Sequence, residues 1–87
     1  MKVRIKVYGR VQGVFFRANT KKKALELGLK GWIMNKKNGS VEIMVEGKRV
    51  KEFIEWCKEG PDFARVDKIE TKEEKSEEKL SGFEIRY

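Results

Sequence analysis

Apolar and charged residues alternate from the start of the chain, with Val3, Ile5 and Val7 interleaved with Lys2, Arg4 and Lys6. A period of two marks a half-buried strand, which here delivers the chain to Gly9. The period then changes. Phe16, Thr20, Ala24 and Leu27 recur at helical spacing and predict a helix from about Phe16 to Leu27, ended by Gly28, with Leu25 opposite its apolar stripe. A second strand is expected over about Lys30 to Asn35, followed by Lys36-Lys37-Asn38-Gly39-Ser40, in which Asn-Gly is a strong hairpin signal. If Asn38 and Gly39 form a two-residue turn, Met34 pairs with Ile43 and Trp32 with Val45, while Asn35 pairs with Glu42 on the other face. Val41, Ile43 and Val45 then face the core.

Val50, Phe53, Ile54 and Cys57 stand at i, i+3, i+4 and i+7 and place a second helix over about Lys48 to Glu59, with Trp56 at the edge of its stripe. Gly60-Pro61 closes it. A strand resumes from Ala64 to Thr71, and the mismatched parity of Val66 and Ile69 suggests a bulge. Lys72 to Lys79 reads as a charged edge or loop, and Phe83, Ile85 and Tyr87 as a last strand with one apolar face. The order strand, helix, strand, strand, helix, strand fits a ferredoxin-like α/β sandwich (βαββαβ): an antiparallel sheet of four to five strands with two helices on one face. Residues 1–87 are expected to form a single domain.

Composition adds a compartment and a field. Cys57 is the only cysteine and no run is long enough to span a membrane, so a cytoplasmic protein without a membrane partner is expected. Of the net charge of +7, residues 1–40 carry 11 Lys/Arg against one acid and residues 41–87 carry 10 against 13. The basic half contains the Gly9–Arg17 stretch, and a field of that sign concentrates small anions. Nucleic acid is the rival partner for such charge. Base stacking would need exposed aromatics on the central strands; Ser40 to Glu46 has none and Lys2 to Tyr8 only Tyr8, so no nucleic acid partner is expected. The Lys/Glu-rich surface resembles that of heat-adapted proteins, so a thermostable chain is expected, and lysine-rich faces favour a monomer.

The chemistry concentrates in Gly9-Arg-Val-Gln-Gly-Val-Phe-Phe-Arg17, between the first strand and the first helix. A strand that turns through glycines into a helix can leave backbone N–H groups converging on one point, backed by the positive end of the helix dipole. Gly9 and Gly13 permit positive φ and close approach, and Arg17 can add a two-pronged donor for phosphate oxygens. The spacing matches neither Gly-x-x-x-x-Gly-Lys-Ser/Thr nor Gly-x-Gly-x-x-Gly, so a nucleotide is not indicated. On residue chemistry alone an ordinary tight turn and a solvated arginine remain open and are the commoner roles of such residues.

The same stretch, followed by Thr20, Ala24-Leu-Glu-Leu-Gly-Leu29, Gly31-Trp-Ile-Met-Asn35, Asn38-Gly-Ser-Val41, Gly60-Pro61 with Ala64-Arg-Val66, and Phe83-Glu-Ile85, resembles the acylphosphatase family over nearly the whole chain. Two departures are the asparagine at Asn38, where the family commonly has aspartate, and the charged Lys72–Lys79 segment. The resemblance implies hydrolysis of the carboxyl–phosphate bond of acyl phosphates to a carboxylate and inorganic phosphate. It implies Arg17 as the phosphate-binding residue and Asn35 as the residue that positions water. The N–H groups of Gln12, Gly13, Val14, Phe15, Phe16 and Arg17 then form the substrate-binding loop, with Thr20 buttressing it. No histidine is needed, because a carboxylate whose conjugate acid has a pKa of about 4 leaves without a proton donor. No metal and no cofactor is expected, because Arg17 and the backbone can neutralise the phosphate and the chain offers no obvious metal cluster. A regulatory domain that keeps the fold and binds a small anion is the remaining alternative.

Overall fold

The computed structural model describes residues 1–13 and 15–87. The elements are β1 (Lys2–Arg10), α1 (Phe16–Glu26), β2 (Lys30–Asn35), β3 (Val41–Glu46), α2 (Val50–Glu59), β4 (Arg65–Glu73) and β5 (Phe83–Arg86). The strands form one sheet in the order β4-β1-β3-β2-β5. Val3, Ile5 and Val7 of β1 meet Val41, Ile43 and Val45 of β3 on one face, where both helices cover them with Phe16, Ala24, Val50, Phe53 and Cys57. This is the ferredoxin-like α+β arrangement with both helices on one side. The helix stripes supply that cover as their spacing predicts; Leu25 is left exposed.

The expected all-antiparallel sheet is modified at its last strand, since β5 runs parallel to β2. The connection explains the direction. β4 and β5 lie at opposite edges, so residues 74–82 cross the helix-free face, held where Lys2 Nζ donates to the carbonyls of Ser76 and Glu78 and where Leu80 packs on Trp32 and Met44. The crossing starts at the end of the sheet where β4 finishes, so β5 runs back toward the end where β2 finishes. The residue that follows β5, Tyr87, therefore arrives beside Asn35.

The hairpin register differs from expectation by one residue. Ile33 pairs with Ile43, Trp32 with Met44, Met34 with Glu42 and Asn35 with Val41. The turn holds three residues, not two: Lys36 N–H donates to the Ser40 carbonyl at 2.9 Å, and Gly39 N–H to the Lys36 carbonyl at 3.1 Å. Gly39, at φ +91°, takes the left-handed position that follows a type I turn in such a loop. Because side chains alternate, the slip exchanges faces. Trp32 and Met34 leave the expected core side for the opposite face, and Asn35 moves to the helix side with Ile33. The departure at Asn38 leaves the turn intact, since its Oδ1 accepts from Ser40 N–H at 3.0 Å and from Ser40 Oγ at 2.6 Å.

The parity mismatch in β4 is a bulge: Tyr8 faces Lys68 and Gly9 faces Val66, leaving Asp67 extra. Gly9 serves this pairing, not an anion cradle. At φ +133°, a Cβ there would stand 2.1 Å from the Arg65 carbonyl oxygen. Gly9→Ala should therefore destabilise the fold by about 3 kcal/mol, combining backbone strain with a clash against a strand that cannot yield. Urea unfolding checks this, and an unshifted midpoint would show that the bulge relaxes without cost.

Candidate active site

Beyond β1 the chain is pinned by two side chains. Val11 and Phe16 are each 1% exposed, so both ends of the connecting loop are anchored in the core. Gln12 holds the loop to the β2–β3 hairpin, its Nε2 donating at 2.8 Å to the carbonyls of both Lys36 and Ser40. Gly13 (φ +73°) and Phe15 (φ +59°) carry the turn into α1. A bulky residue in the left-handed region is strained, and Phe15 is also 80% exposed, so core packing does not hold it there. What does is its carbonyl, which accepts from Asn19 N–H at 3.1 Å and Asn19 Nδ2 at 2.9 Å.

The start of α1 has no side-chain cap and no acidic residue in its first turn. Its leading N–H groups keep their hydrogen-bonding capacity, and nothing negative offsets the dipole. Here lies a cleft of about 310 Å³, walled by Gly13, Phe15, Phe16, Arg17 and Ala18 on one side and by Asn35, Ile85 and Tyr87 on the other, with Val11 at its base. The Arg17 guanidinium carbon sits 4.9 Å from the centre of the Tyr87 ring. Such stacking orients the planar group while leaving its N–H edges available. Arg17 pairs with no carboxylate among the described residues. Across the cleft, Asn35 Oδ1 is buried and has no hydrogen-bond partner among the described residues. An acceptor in that state has hydrogen-bonding capacity that the fold does not use.

Arg17 and Asn35 are thus brought to one cleft, together with Gly13, Phe15 and Phe16. Gln12 is not in its wall; its side chain is spent on the hairpin. Val14 lies outside the described residues. Thr20 is fully buried, but its hydroxyl makes no hydrogen bond among the described residues, so no bond to the loop supports the expected buttress. Tyr87, which the alternation assigns to an apolar strand face, is instead 95% exposed over Arg17. Period-two patterning does not reach it, because β5 ends one residue earlier. Burial pushes the Cys57 thiol up to about 12, which leaves it an inert core residue. Among the described residues no group of three His, Cys, Asp or Glu side chains could hold a metal ion, and no helix is long and apolar enough to cross a membrane.

A family model described as Acylphosphatase matches residues 3–85. The acylphosphatase of Rubrobacter xylanophilus is 47% identical over 98% of this chain and 79% of its own length. That of Aeropyrum pernix is 48% identical over 100% of this chain and 89% of its own. The crystal structure of acylphosphatase from Bacillus subtilis superposes with a TM-score of 0.93 at 40% identity, covering 99% of this chain and 98% of that one. Relatives of similar length, agreeing in sequence from the first strand to the last and in backbone throughout, make this chain a member of the acylphosphatase family.

Proposed function

We propose that this chain, as a single domain over residues 1–87, hydrolyses acyl phosphates by direct attack of water on phosphorus, without a metal ion. Family membership supports a hydrolase acting on acyl phosphates. The observation that carries the mechanism is the cleft at the uncapped start of α1 whose walls hold both Arg17 and Asn35, the latter with a buried side-chain oxygen that has no partner among the described residues. Phosphoryl transfer asks a protein mainly for alignment and for stabilisation of charge on the equatorial oxygens. Arg17 and the N–H groups of the Gln12–Arg17 loop, Val14 included, supply the second. Asn35 supplies the first, its Oδ1 accepting a hydrogen bond from the attacking water and so aiming the oxygen lone pair at phosphorus.

In the reaction the water oxygen forms a bond to phosphorus as the bond from phosphorus to the acyl oxygen breaks. The carboxylate leaves with that electron pair, and the proton of the water passes to a phosphoryl oxygen. Arg17 and Asn35 are the catalytic residues in this reading, and inorganic phosphate and the acyl phosphate are its small-molecule partners. A cytoplasmic, monomeric and thermostable protein belongs to the same proposal, the lone Cys57 supporting the first and the lysine- and glutamate-rich surface the other two.

Steady-state turnover of benzoyl phosphate tests it. The rate should be unchanged by excess chelator, and phenyl phosphate should be turned over far more slowly, because a phenolate is a much poorer leaving group than a carboxylate. Loss of turnover on chelation would remove metal independence. An inactive chain that still bound inorganic phosphate would instead be an anion-binding regulatory domain.

A further inference from the structure

The cleft holding Arg17 adjoins a second one of about 490 Å³, and Asn35 and Tyr87 stand in the walls of both. A phosphoryl group held by Arg17 therefore has this second space next to it for whatever the phosphate is attached to. Its remaining walls are Met34, Lys36, Lys37 and Asn38. Met34 and the Tyr87 ring offer apolar surface. Lys36 and Lys37 are exposed, neither pairs with a carboxylate among the described residues, and no Asp or Glu side chain lines either cleft. The three-residue turn places the two lysines immediately beyond Asn35, and Gln12 clamps the carbonyls of Lys36 and Ser40, so the hairpin bearing them is tied to the substrate loop.

The geometry points to an acyl subsite, built by Lys36, Lys37, Met34 and Tyr87, that favours acyl phosphates whose acyl part carries a second negative charge. This rests on the proposed function, since it assigns the place of the leaving group. An unpaired ammonium pair beside a short apolar wall recognises an anion separated from the reacting carbonyl by a few methylene groups, such as the free carboxylate of a dicarboxylic acid monoacyl phosphate. Neutral acyl groups gain only the apolar contact. The competing explanation is the general field of a chain with net charge +7, which attracts any extra anion wherever its lysines lie.

The test compares kcat/KM for succinyl phosphate and acetyl phosphate in three proteins: the native chain, Lys36→Gln/Lys37→Gln, and Lys48→Gln/Lys51→Gln. The last pair is exposed, lies outside both clefts and removes the same charge. The native chain should prefer succinyl phosphate at low ionic strength, and the hairpin variant should lose about tenfold of that succinyl-to-acetyl ratio, as expected for two exposed charge contacts. The remote variant should keep the ratio, and salt should erase it. An equal loss in both variants would assign the preference to the general field and overturn the subsite. A native chain active on both substrates without preference would also overturn the subsite alone, whereas one inert toward both would overturn the proposed function and the subsite with it.

Discussion

Arg17→Ala should lower kcat/KM for benzoyl phosphate by about 10³-fold or more and abolish inhibition by inorganic phosphate. Both effects follow from position. Among the described residues Arg17 is the one cation in the wall of the cleft at the start of α1, and its guanidinium meets charge that is present in the bound phosphate and redistributed in the transition state. The fold should survive, because the neighbouring Phe16 anchors the helix start in the core, whereas the Arg17 guanidinium only stacks on an exposed Tyr87 ring. Arg17→Lys should recover only part of the rate, since an ammonium cannot reproduce a planar two-pronged donor stacked on a ring. Turnover within tenfold of native in a folded Arg17→Ala protein would remove Arg17 from the mechanism.

Asn35→Ala should lower kcat by about 10²- to 10³-fold and leave inhibition by inorganic phosphate nearly unchanged, the signature of a group that aligns water without holding the phosphoryl oxygens. Stability should not fall with activity. Asn35 Oδ1 makes no hydrogen bond to the described residues, so its removal breaks no bond within the fold and should leave the melting temperature about equal. An inactive variant of undiminished stability is the expected pairing. If kcat is retained, or if phosphate affinity collapses as it should in Arg17→Ala, the water-positioning role is wrong.

Much of this molecule is legible one segment at a time. The alternation of Val3, Ile5 and Val7, the stripe Phe16, Thr20, Ala24 and Leu27, and the spacing Val50, Phe53, Cys57 all mark residues that the structure buries on the helix-covered face. The mismatch of Val66 and Ile69 marks the bulge in β4. The cradle is partly legible: Gly13, Phe15, Phe16 and Arg17 do line one cleft, but Gly9 belongs to strand pairing and the Gln12 side chain to the hairpin. The place of Tyr87 in the site is not legible, because its partner, Arg17, is 70 positions away in sequence and the stack between them is neither buried nor periodic.

Periodicity and turn residues in the chain set the identity and order of the elements, because which face of a helix or strand is apolar is a property of neighbours in sequence. The face that Asn35 occupies is not. Asn-Gly is compatible with a two-residue and a three-residue turn, and with a side-chain period of two the difference of one residue decides between opposite sides of the sheet. Packing of Ile33 against Ile43 beneath the helices, with Trp32 and Met34 finding Met44 and Leu80 on the far side, settles the register and places Asn35 in the wall of the cleft that Arg17 lines. The crossing of residues 74–82 then sets the direction of β5 and brings Tyr87 to the same cleft. Both outcomes depend on distant segments burying each other's apolar surface, so they exist only once the sheet has assembled.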